Sequence, residues 1–278
     1  MKISFLGTGA AEGVPAMFCT CPFCKSVREA GINQYRTRSQ VLIDGDLSID
    51  FPPEAYVHSL RFNVNLSALK CVLVTHSHMD HFYAHDFILR GYKYATVESE
   101  KLKIFGNAEI KNVFEECTRR EMRSEVLGNL EVTTVHALEV FNVGEYRVIT
   151  LPAQHGTAEE ALLYYVEKGG RGCLHLCDTG ALSDEAVNFL AVNKAFASLV
   201  TFDCTFLDAP PKAGTRHMCV ADNMEIAKRL ENAGIINADT KRVITHFSHN
   251  SHPTDERLAA IEKQFSVIAA YDGLTLEI

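Results

Sequence analysis

One short turn of the chain carries the strongest chemical signal. It reads His-Ser-His-Met-Asp-His and directly follows the apolar run Cys71–Thr75. His76 and His78 are two positions apart and can face one centre, while Asp80 and His81 can face a second one. Imidazole and carboxylate donors together suit Zn, Mn or Fe. We therefore predict a metal site at this turn.

Three later apolar runs also end next to a residue that can bind a metal. Val148–Ala153 leads to His155, Cys173–Cys177 leads to Asp178, and Val243–Thr245 leads to His246. A single histidine at such a position is more often a hydrogen-bonded structural residue. Four strand ends of this kind in one chain favour metal binding, because loops at strand ends can point side chains at one spot without disturbing the core.

The elements that must position these residues are short strands. Apolar runs bounded by turn residues predict β-strands. They are Lys2–Leu6, Gln40–Ile43, Leu47–Asp50, Cys71–Thr75, Leu102–Phe105, Leu130–His136, Tyr146–Ala153, Ala161–Glu167, Cys173–Cys177, Leu199–Asp203, Val243–Thr245, Val267–Ala270 and Leu274–Ile278. Helices are predicted after Ser183, over Asp222–Ala233, after Thr254 and over Asn107–Leu127. The pattern predicts two packed sheets with helices outside.

Composition narrows the classes of protein. The 278 residues are 47% hydrophobic and 22% charged, which is typical of a globular protein with a large core. A net charge of −8 argues against a nucleic-acid or anionic membrane partner, because such partners attract clustered Lys and Arg. No apolar stretch approaches the roughly 18 residues of a membrane span. The nine cysteines are odd in number and, apart from the first three, scattered through apolar segments, which is expected of reduced thiols and predicts a cytoplasmic protein.

The motif order resembles the metallo-β-lactamase superfamily over nearly the whole chain. The matching residues are His76-x-His78-x-Asp80-His81, then His155, Asp178 and His246. The resemblance implies an α/β fold, an αββα sandwich of two mixed sheets with helices outside. It also implies a single metallo-hydrolase domain over residues 1–278.

The resemblance further implies a two-metal site. It assigns His76, His78 and His155 to the first metal, Asp80, His81 and His246 to the second, and Asp178 to a bridge between them. A hydroxide shared by two divalent metals is a strong nucleophile at neutral pH, since the metals lower the pKa of bound water toward 7. Asp50 lies where the family places a carboxylate that orients a ligand histidine, although capping a turn is an equal alternative.

Within the superfamily, the chain is most similar to the phosphodiesterases that open phosphoribosyl 1,2-cyclic phosphate in the carbon–phosphorus lyase pathway. The opening loop Gly7–Pro15 supports this similarity. It implies that His217 and Arg216 contact the substrate phosphate, through charge-assisted donors near a helix N-terminus. Asp80 and His217 are the expected catalytic residues. The implied substrate is a small, cyclic phosphodiester.

A second metal site of a different kind follows from the same similarity. Cys19, Cys21 and Cys24 form a CxCxxC cluster, and His249 lies three residues after His246. Three thiolates and one imidazole make a closed tetrahedral zinc site with no open position for catalysis. We therefore expect one structural zinc beside two active-site metals, whose identity as Zn, Mn or Fe stays open.

Several alternatives remain open from the sequence. Two metals and a hydroxide attack acyl carbons as well as phosphorus, so a lactonase, thioesterase or β-lactamase is possible. A tRNA 3′-processing nuclease needs a basic surface that the sequence does not offer. A metal-stapled binding module without turnover is a third class, and a homodimer is a further expectation. Whether Arg36 and Arg38, or Tyr92 and Tyr94, contact substrate is left open.

Overall fold

The computed structural model describes residues 1–97, 100–156 and 158–278. Within them, the first sheet has seven strands in the order β14-β1-β2-β3-β4-β5-β6. They are β1 (Lys2–Gly7), β2 (Gln40–Ile43), β3 (Leu47–Ile49), β4 (Cys71–Leu73), β5 (Leu102–Gly106), β6 (Leu130–Thr134) and β14 (Leu274–Glu277). The strands β3 to β6 run parallel to one another, and the remaining pairs are antiparallel.

The second sheet also has seven strands among the described residues, in the order β13-β12-β11-β10-β9-β8-β7. They are β7 (Val140–Val143), β8 (Tyr146–Pro152), β9 (Leu162–Lys168), β10 (Arg171–Leu176), β11 (Leu199–Asp203), β12 (Lys241–Thr245) and β13 (Ile268–Ala269). The strands β10 to β13 are parallel, and β7 to β10 form an antiparallel meander. Both sheets are therefore mixed.

The two sheets pack face to face through one apolar cluster. Phe5, Ile49 and Leu73 of the first sheet meet Tyr164 and Val166 of the second, and all five are buried. Each sheet buries its other face against helices and loops in a separate cluster. Burial on both faces explains why the central parallel strands are continuous apolar runs rather than alternating ones. The predicted αββα sandwich is confirmed.

Seven α-helices lie outside the sheets in the described part of the chain. They are α1 (Pro22–Ala30), α2 (Ala55–Arg61), α3 (Ala108–Thr118), α4 (Ser124–Leu127), α5 (Asp184–Val192), α6 (Val220–Asn232) and α7 (Asp255–Phe265). The predicted N-caps are confirmed: Ser183 accepts a hydrogen bond from the Ala186 amide, and Thr254 accepts one from Arg257. None of the described helices is long and apolar enough to span a membrane.

Some local predictions were wrong or incomplete. The single helix predicted over Asn107–Leu127 is two helices, because the chain leaves helical geometry after Thr118 and restarts at Ser124. Asn107 caps the first of them by accepting hydrogen bonds from the Glu109 and Ile110 amides. The short edge strand β7 and the helices α1 and α2 were not predicted.

Candidate metal centre

Strand ends from both sheets meet at one edge of the sandwich. The first sheet contributes Asp50 after β3 and the His76–His81 turn after β4. The second contributes His155 after β8, Asp178 after β10 and His246 after β12. The parallel arrangement of β3 with β4, and of β10 to β12, aligns these carboxyl ends. All seven predicted ligands are brought together here.

The seven predicted ligands form two groups that share Asp178, and a third set of close donors joins Asp178 and His246 to Asp203 and His217. One group is His76, His78, His155 and Asp178, and the other is Asp80, His81, Asp178 and His246. Within each group the ligand atoms lie within 4.8 Å of one another. This grouping is the one that the sequence resemblance implied.

Asp178 lies at the centre of the cluster. Its Oδ1 is 2.9 Å from Nδ1 of His155, and its Oδ2 is 3.3 Å from Nε2 of His76 and 3.1 Å from Nε2 of His81. The same Oδ2 lies 3.8 Å from Nε2 of His246. Burial alone would raise the pKa of Asp178, but the imidazoles around it, His246 foremost, hold that pKa well below its ordinary value.

Despite these short separations, four buried atoms of the cluster make no hydrogen bond to any of the described residues. They are Nε2 of His81, Nδ1 of His155, Nε2 of His246 and Oδ1 of Asp178. Buried polar groups are rarely left unpaired, because their desolvation costs about 1–3 kcal/mol each. A divalent cation in each group would satisfy these atoms, and nitrogen and oxygen donors are the ligands that such cations take. The residues therefore fit two divalent metals.

The backbone turns sharply at three of these strand ends. Asp50, Asp178 and His246 have φ angles of 63°, 57° and 63°, in the left-handed region. Asp and His adopt this region more readily than most residues, yet it remains uncommon outside glycine. Such conformations concentrate at functional sites, where the surroundings hold them in place. Here they turn each side chain toward the shared edge as soon as its strand ends.

Asp50 contacts a ligand histidine directly. Its Oδ2 lies 2.6 Å from Nδ1 of His81, and its Oδ1 accepts hydrogen bonds from the amide and hydroxyl of Thr75, at 2.8 and 2.9 Å. Both Asp50 and His81 are buried. This is the arrangement of a carboxylate that orients a metal-binding imidazole through its second ring nitrogen.

His217 lies on the open side of the cluster. Its Nδ1 is 3.0 Å from Oδ1 of Asp178 and 3.0 Å from Oδ2 of Asp203. Its side chain is 24% exposed, whereas those of His76, His81 and His246 are buried. Burial lowers the pKa of His217, but Asp178 and Asp203 outweigh burial and raise it to about 10.

Asp203 is a site residue that the sequence reasoning missed. It is fully buried, accepts hydrogen bonds from the Thr205 and Met218 amides at 3.0 and 3.1 Å, and lies 3.4 Å from Nδ1 of His246. It thus contacts both His217 and His246 from behind. The signal was available, because Asp203 ends the predicted strand Leu199–Asp203 at the same edge as the ligands.

The loop that carries His217 packs closely on the ligand loops. A Cβ at Gly180 would lie 1.8 Å from the carbonyl oxygen of Thr215, so only glycine fits there. A Cβ at Gly156 would lie 2.7 Å from Nε of Arg216, which places the Arg216 side chain over the residue after His155. The predicted substrate-binding residues Arg216 and His217 therefore border the two metal groups.

The cysteine cluster forms as predicted. Cys19, Cys21, Cys24 and His249 bring their ligand atoms within 4.8 Å of one another, with Sγ of Cys24 3.5 Å from Nδ1 of His249. The Cys24 amide donates to Sγ of Cys21, and this bond contributes most to lowering the pKa of the Cys21 thiol to about 6. Three sulfurs and one imidazole at this separation fit a tetrahedral zinc ion.

The other candidate contacts have different surroundings. Arg36 is buried and donates to the Ala270 carbonyl at 2.6 Å, which gives it a structural partner inside the fold. Arg38 pairs with Glu54 at 3.0 Å. Tyr92 packs on Tyr94 with a ring separation of 5.9 Å. Of the segment around these tyrosines, Glu98 and Ser99 lie outside the described residues.

Several solved structures share this fold along the full length of the chain. A diphosphatase from the PhnP family has a TM-score of 0.74 at 21% identity, covering 100% of this chain and 97% of that one. Zn²⁺-bound PqqB from Methylobacterium extorquens has a TM-score of 0.72 at 18% identity, covering both chains fully. The short form of human tRNase Z has a TM-score of 0.70 at 18% identity, covering 100% and 99%.

Sequence comparison with curated proteins gives a local match. An octanoyltransferase from Porphyromonas gingivalis (strain ATCC BAA-308 / W83) is 34% identical over 85 residues, which is 29% of this chain and 16% of that protein. The chain thus spans a small part of this relative's length.

A match to a family profile shows which superfamily the chain belongs to. The profile of the "Beta-lactamase superfamily domain" matches residues 41–247, which include every ligand of the two-metal groups. This range covers most of both sheets and all the strand ends described above. The chain therefore belongs to the metallo-β-lactamase superfamily.

Proposed function

We propose that the protein is a binuclear metal-dependent phosphodiesterase that hydrolyses a small, anionic phosphodiester. The observation that carries the proposal is the placement of His217, 3.0 Å from Asp178 and partly open to solvent. A side chain that can donate a proton therefore stands beside both metal groups and reaches solvent. This placement suits an ester whose leaving group needs a proton.

The ligand assignment follows the two groups. His76, His78 and His155 would hold one cation, Asp80, His81 and His246 the other, and Asp178 both. Two bound cations supply Lewis acidity for the phosphoryl oxygens and lower the pKa of a bound water toward 7. Asp50 orients His81 through its Nδ1 at 2.6 Å, while the Thr205 hydroxyl at 2.9 Å and Asp203 at 3.4 Å face Nδ1 of His246.

His217 and Arg216 supply the contacts to the substrate. His217 Nδ1 donates to Oδ2 of Asp203 at 3.0 Å and lies 3.0 Å from Oδ1 of Asp178, so the other ring nitrogen, Nε2, is left for an incoming ester. Arg216 is exposed and adjacent, and its guanidinium is a bidentate donor suited to phosphate oxygens. Two side chains that can donate to phosphate oxygens beside the metal groups favour a phosphodiester over a neutral lactone or thioester.

The comparisons support a reaction at phosphorus. The similar structures include a diphosphatase of the PhnP family and a tRNase Z. A net charge of −8 favours a small molecule over RNA within that class. Together with the opening loop and the Cys19–Cys24 cluster, these points support a cyclic sugar phosphate as the substrate class.

The decisive experiment combines metal analysis with a substrate panel. We would measure metals per chain by mass spectrometry, then compare turnover of bis(p-nitrophenyl) phosphate, a five-membered cyclic phosphate, a lactone series and a 3′-extended tRNA. We expect three metals per chain and the highest kcat/KM on a phosphodiester. Faster opening of a lactone, or faster cleavage of the tRNA, would contradict the proposal.

Asp178→Asn tests the two-metal requirement, since asparagine tolerates the left-handed backbone at this position. With the neutral amide, the two groups should no longer bind two metals at the same time, and hydrolysis should be lost. The cysteine site should keep its zinc. Asp184→Asn, an exposed aspartate on α5, is the matched control. Retention of hydrolysis in Asp178→Asn would exclude the binuclear mechanism.

A further inference from the structure

Three residues in the segment after β4, Val74, Thr75 and Ser77, form hydrogen bonds with β9 of the second sheet or with the loop before it. The Tyr164 hydroxyl donates to the Val74 carbonyl at 2.8 Å, and the Leu162 amide donates to the Thr75 carbonyl at 2.8 Å. Next along the chain, Ser77 donates to Glu159. The segment that leads into the metal-binding turn is thereby fastened to β9 and to the loop before it.

Glu159 makes the last of these ties with both carboxylate oxygens. The Ser77 amide lies 3.0 Å from Oε1 and 3.1 Å from Oε2, and the Ser77 hydroxyl donates to Oε1 at 2.7 Å. Nδ2 of Asn107 donates to Oε2 at 2.8 Å. Hydrogen bonds to an ionised carboxylate are about twice as strong as neutral ones.

The position of Ser77 gives this contact its importance. Ser77 lies between His76 and His78, whose ring nitrogens Nε2 and Nδ1 are 2.9 Å apart. Because Ser77 is the only residue between the two histidines, its backbone dihedral angles set the direction of one imidazole relative to the other. Because Glu159 holds the amide and the hydroxyl of Ser77 together, it restricts that rotation.

Glu159 also belongs to the loop that supplies the third histidine. His155 lies four residues before it, and Nε2 of His155 is 3.3 Å from Nδ1 of His78. The Asn107 side chain holds the same loop a second time, by donating to the Glu160 carbonyl at 2.8 Å. One carboxylate thus connects the first-sheet turn with the second-sheet loop, and the three histidines come from these two segments.

We propose that Glu159 is a positioning residue for the metal group of His76, His78 and His155, and that it sets the metal affinity of this group without binding the metal. The inference rests on the proposed two-metal function for its catalytic consequence. Partners that orient metal ligands typically change affinity by about 10- to 100-fold when they are removed. The group of Asp80, His81 and His246 takes its support from Asp50 and Asp203, so its affinity should change little.

Glu160 offers a matched control one residue away. Its carboxylate accepts hydrogen bonds from Nδ1 of His136 and the Ala137 amide, both at 2.9 Å, and it is more exposed than Glu159. Glu159→Ala and Glu160→Ala each remove one carboxylate from the same loop. Only the first removes the contact with Ser77.

The test is metal retention in the absence of substrate. The purified, metal-loaded variants are dialysed against graded chelator, and the metals per chain are counted by mass spectrometry. We expect Glu159→Ala to lose one equivalent at about 10- to 100-fold lower chelator than the wild type and Glu160→Ala. Cobalt substitution should show the altered absorption of that one site, and excess metal should restore hydrolysis.

Two further variants keep the proposal falsifiable if Glu159→Ala folds poorly. Glu159→Gln retains one carbonyl acceptor and should give an intermediate loss, and Ser77→Ala should give a partial one. Identical retention curves for Glu159→Ala and Glu160→Ala would overturn the proposal, as would simultaneous loss of all metals. Selective loss of one metal from a protein that hydrolyses no phosphodiester would support this inference and refute the proposed function.

Discussion

The Nδ1 atom of His81 lies 2.6 Å from Oδ2 of Asp50, and both side chains are buried where the first sheet ends. The other oxygen of Asp50 is occupied by the amide and hydroxyl of Thr75. The hydrogen bonds from Thr75 hold the Asp50 carboxylate in the orientation in which it contacts the His81 imidazole. It leaves Nε2 of His81 as the nitrogen that faces Asp80 and Asp178.

Asp50→Asn should weaken metal binding by the group that contains His81. Asparagine tolerates the left-handed backbone at this position, but its amide cannot replace both carboxylate oxygens. We expect an affinity loss of about 10- to 100-fold at one site. Chelator competition monitored by metal content measures it, with Asp184→Asn as control. Unchanged affinity would show that Asp50 only supports the turn.

His217→Gln should impair protonation of the leaving group without reducing metal binding. Removing a positioned acid or base typically costs about 10²- to 10⁴-fold in rate. We expect this loss in kcat for an alkyl leaving group and a much smaller loss for p-nitrophenolate, which leaves without a proton. Metal content should stay at the wild-type value. An equal loss on both substrates would assign His217 to phosphate binding instead.

Cys21→Ser should lower thermal stability more than it lowers hydrolytic activity. The serine oxygen is a poor zinc ligand, so the site formed with Cys19, Cys24 and His249 should lose its metal. For a protein of this size, each kcal/mol lost lowers Tm by about 2–4 °C. Thermal unfolding and metal counting measure the effect, with Cys117→Ser on α3 as control. A normal Tm with three metals per chain would refute the structural zinc.

His58 should make the fold less stable in mild acid. Burial lowers its pKa to about 3 from 6.5, and its ring nitrogens lie 2.7 Å from the Thr37 hydroxyl and 2.6 Å from Oε1 of Gln40. The unfolded chain takes up a proton below pH 6.5 and the folded chain does not, so stability falls as pH drops from 6.5 toward 3. The slope from this residue approaches about 1.4 kcal/mol per pH unit.

Urea unfolding at pH 7.5, 6.5 and 5.5 measures that slope. His58→Gln should be less stable at pH 7.5 but should lose less stability on acidification than the wild type. His85→Gln, at an exposed position, is the control. His175, whose pKa burial also lowers to about 3, keeps part of the slope in every variant. An unchanged slope in His58→Gln would contradict the assignment.

The ligands could be predicted because each of them follows a strand that is buried on both faces. An apolar run that stops at His155, Asp178 or His246 is visible in the sequence, and a family motif orders the ligands. Asp203 carried the same signal but lacked a motif position. Glu159 carried none, since its role depends on a contact with Ser77 from the other sheet.

Local helical breaks were harder to predict for a different reason. The polar segment Arg119–Arg123 contains no proline or glycine that would end a helix. The residues that pack on the first sheet, Ile110 and Phe114 of α3 and Val126 of α4, lie on the two sides of the break. Arg36 is the converse case. An arginine before a strand could equally contact a phosphate or the interior, and only the fold places it against the Ala270 carbonyl.

The contact between Gly180 and the Thr215 carbonyl limits how this enzyme can be re-engineered. Loop exchange between relatives is a common way to alter substrate range, and the segment around His217 is the natural one to exchange. Because the two backbones touch without a side chain between them, a transplanted loop will seat correctly only if the Asp178–Gly180 turn is transplanted with it. The two segments therefore act as one unit, although 34 residues lie between Gly180 and Thr215.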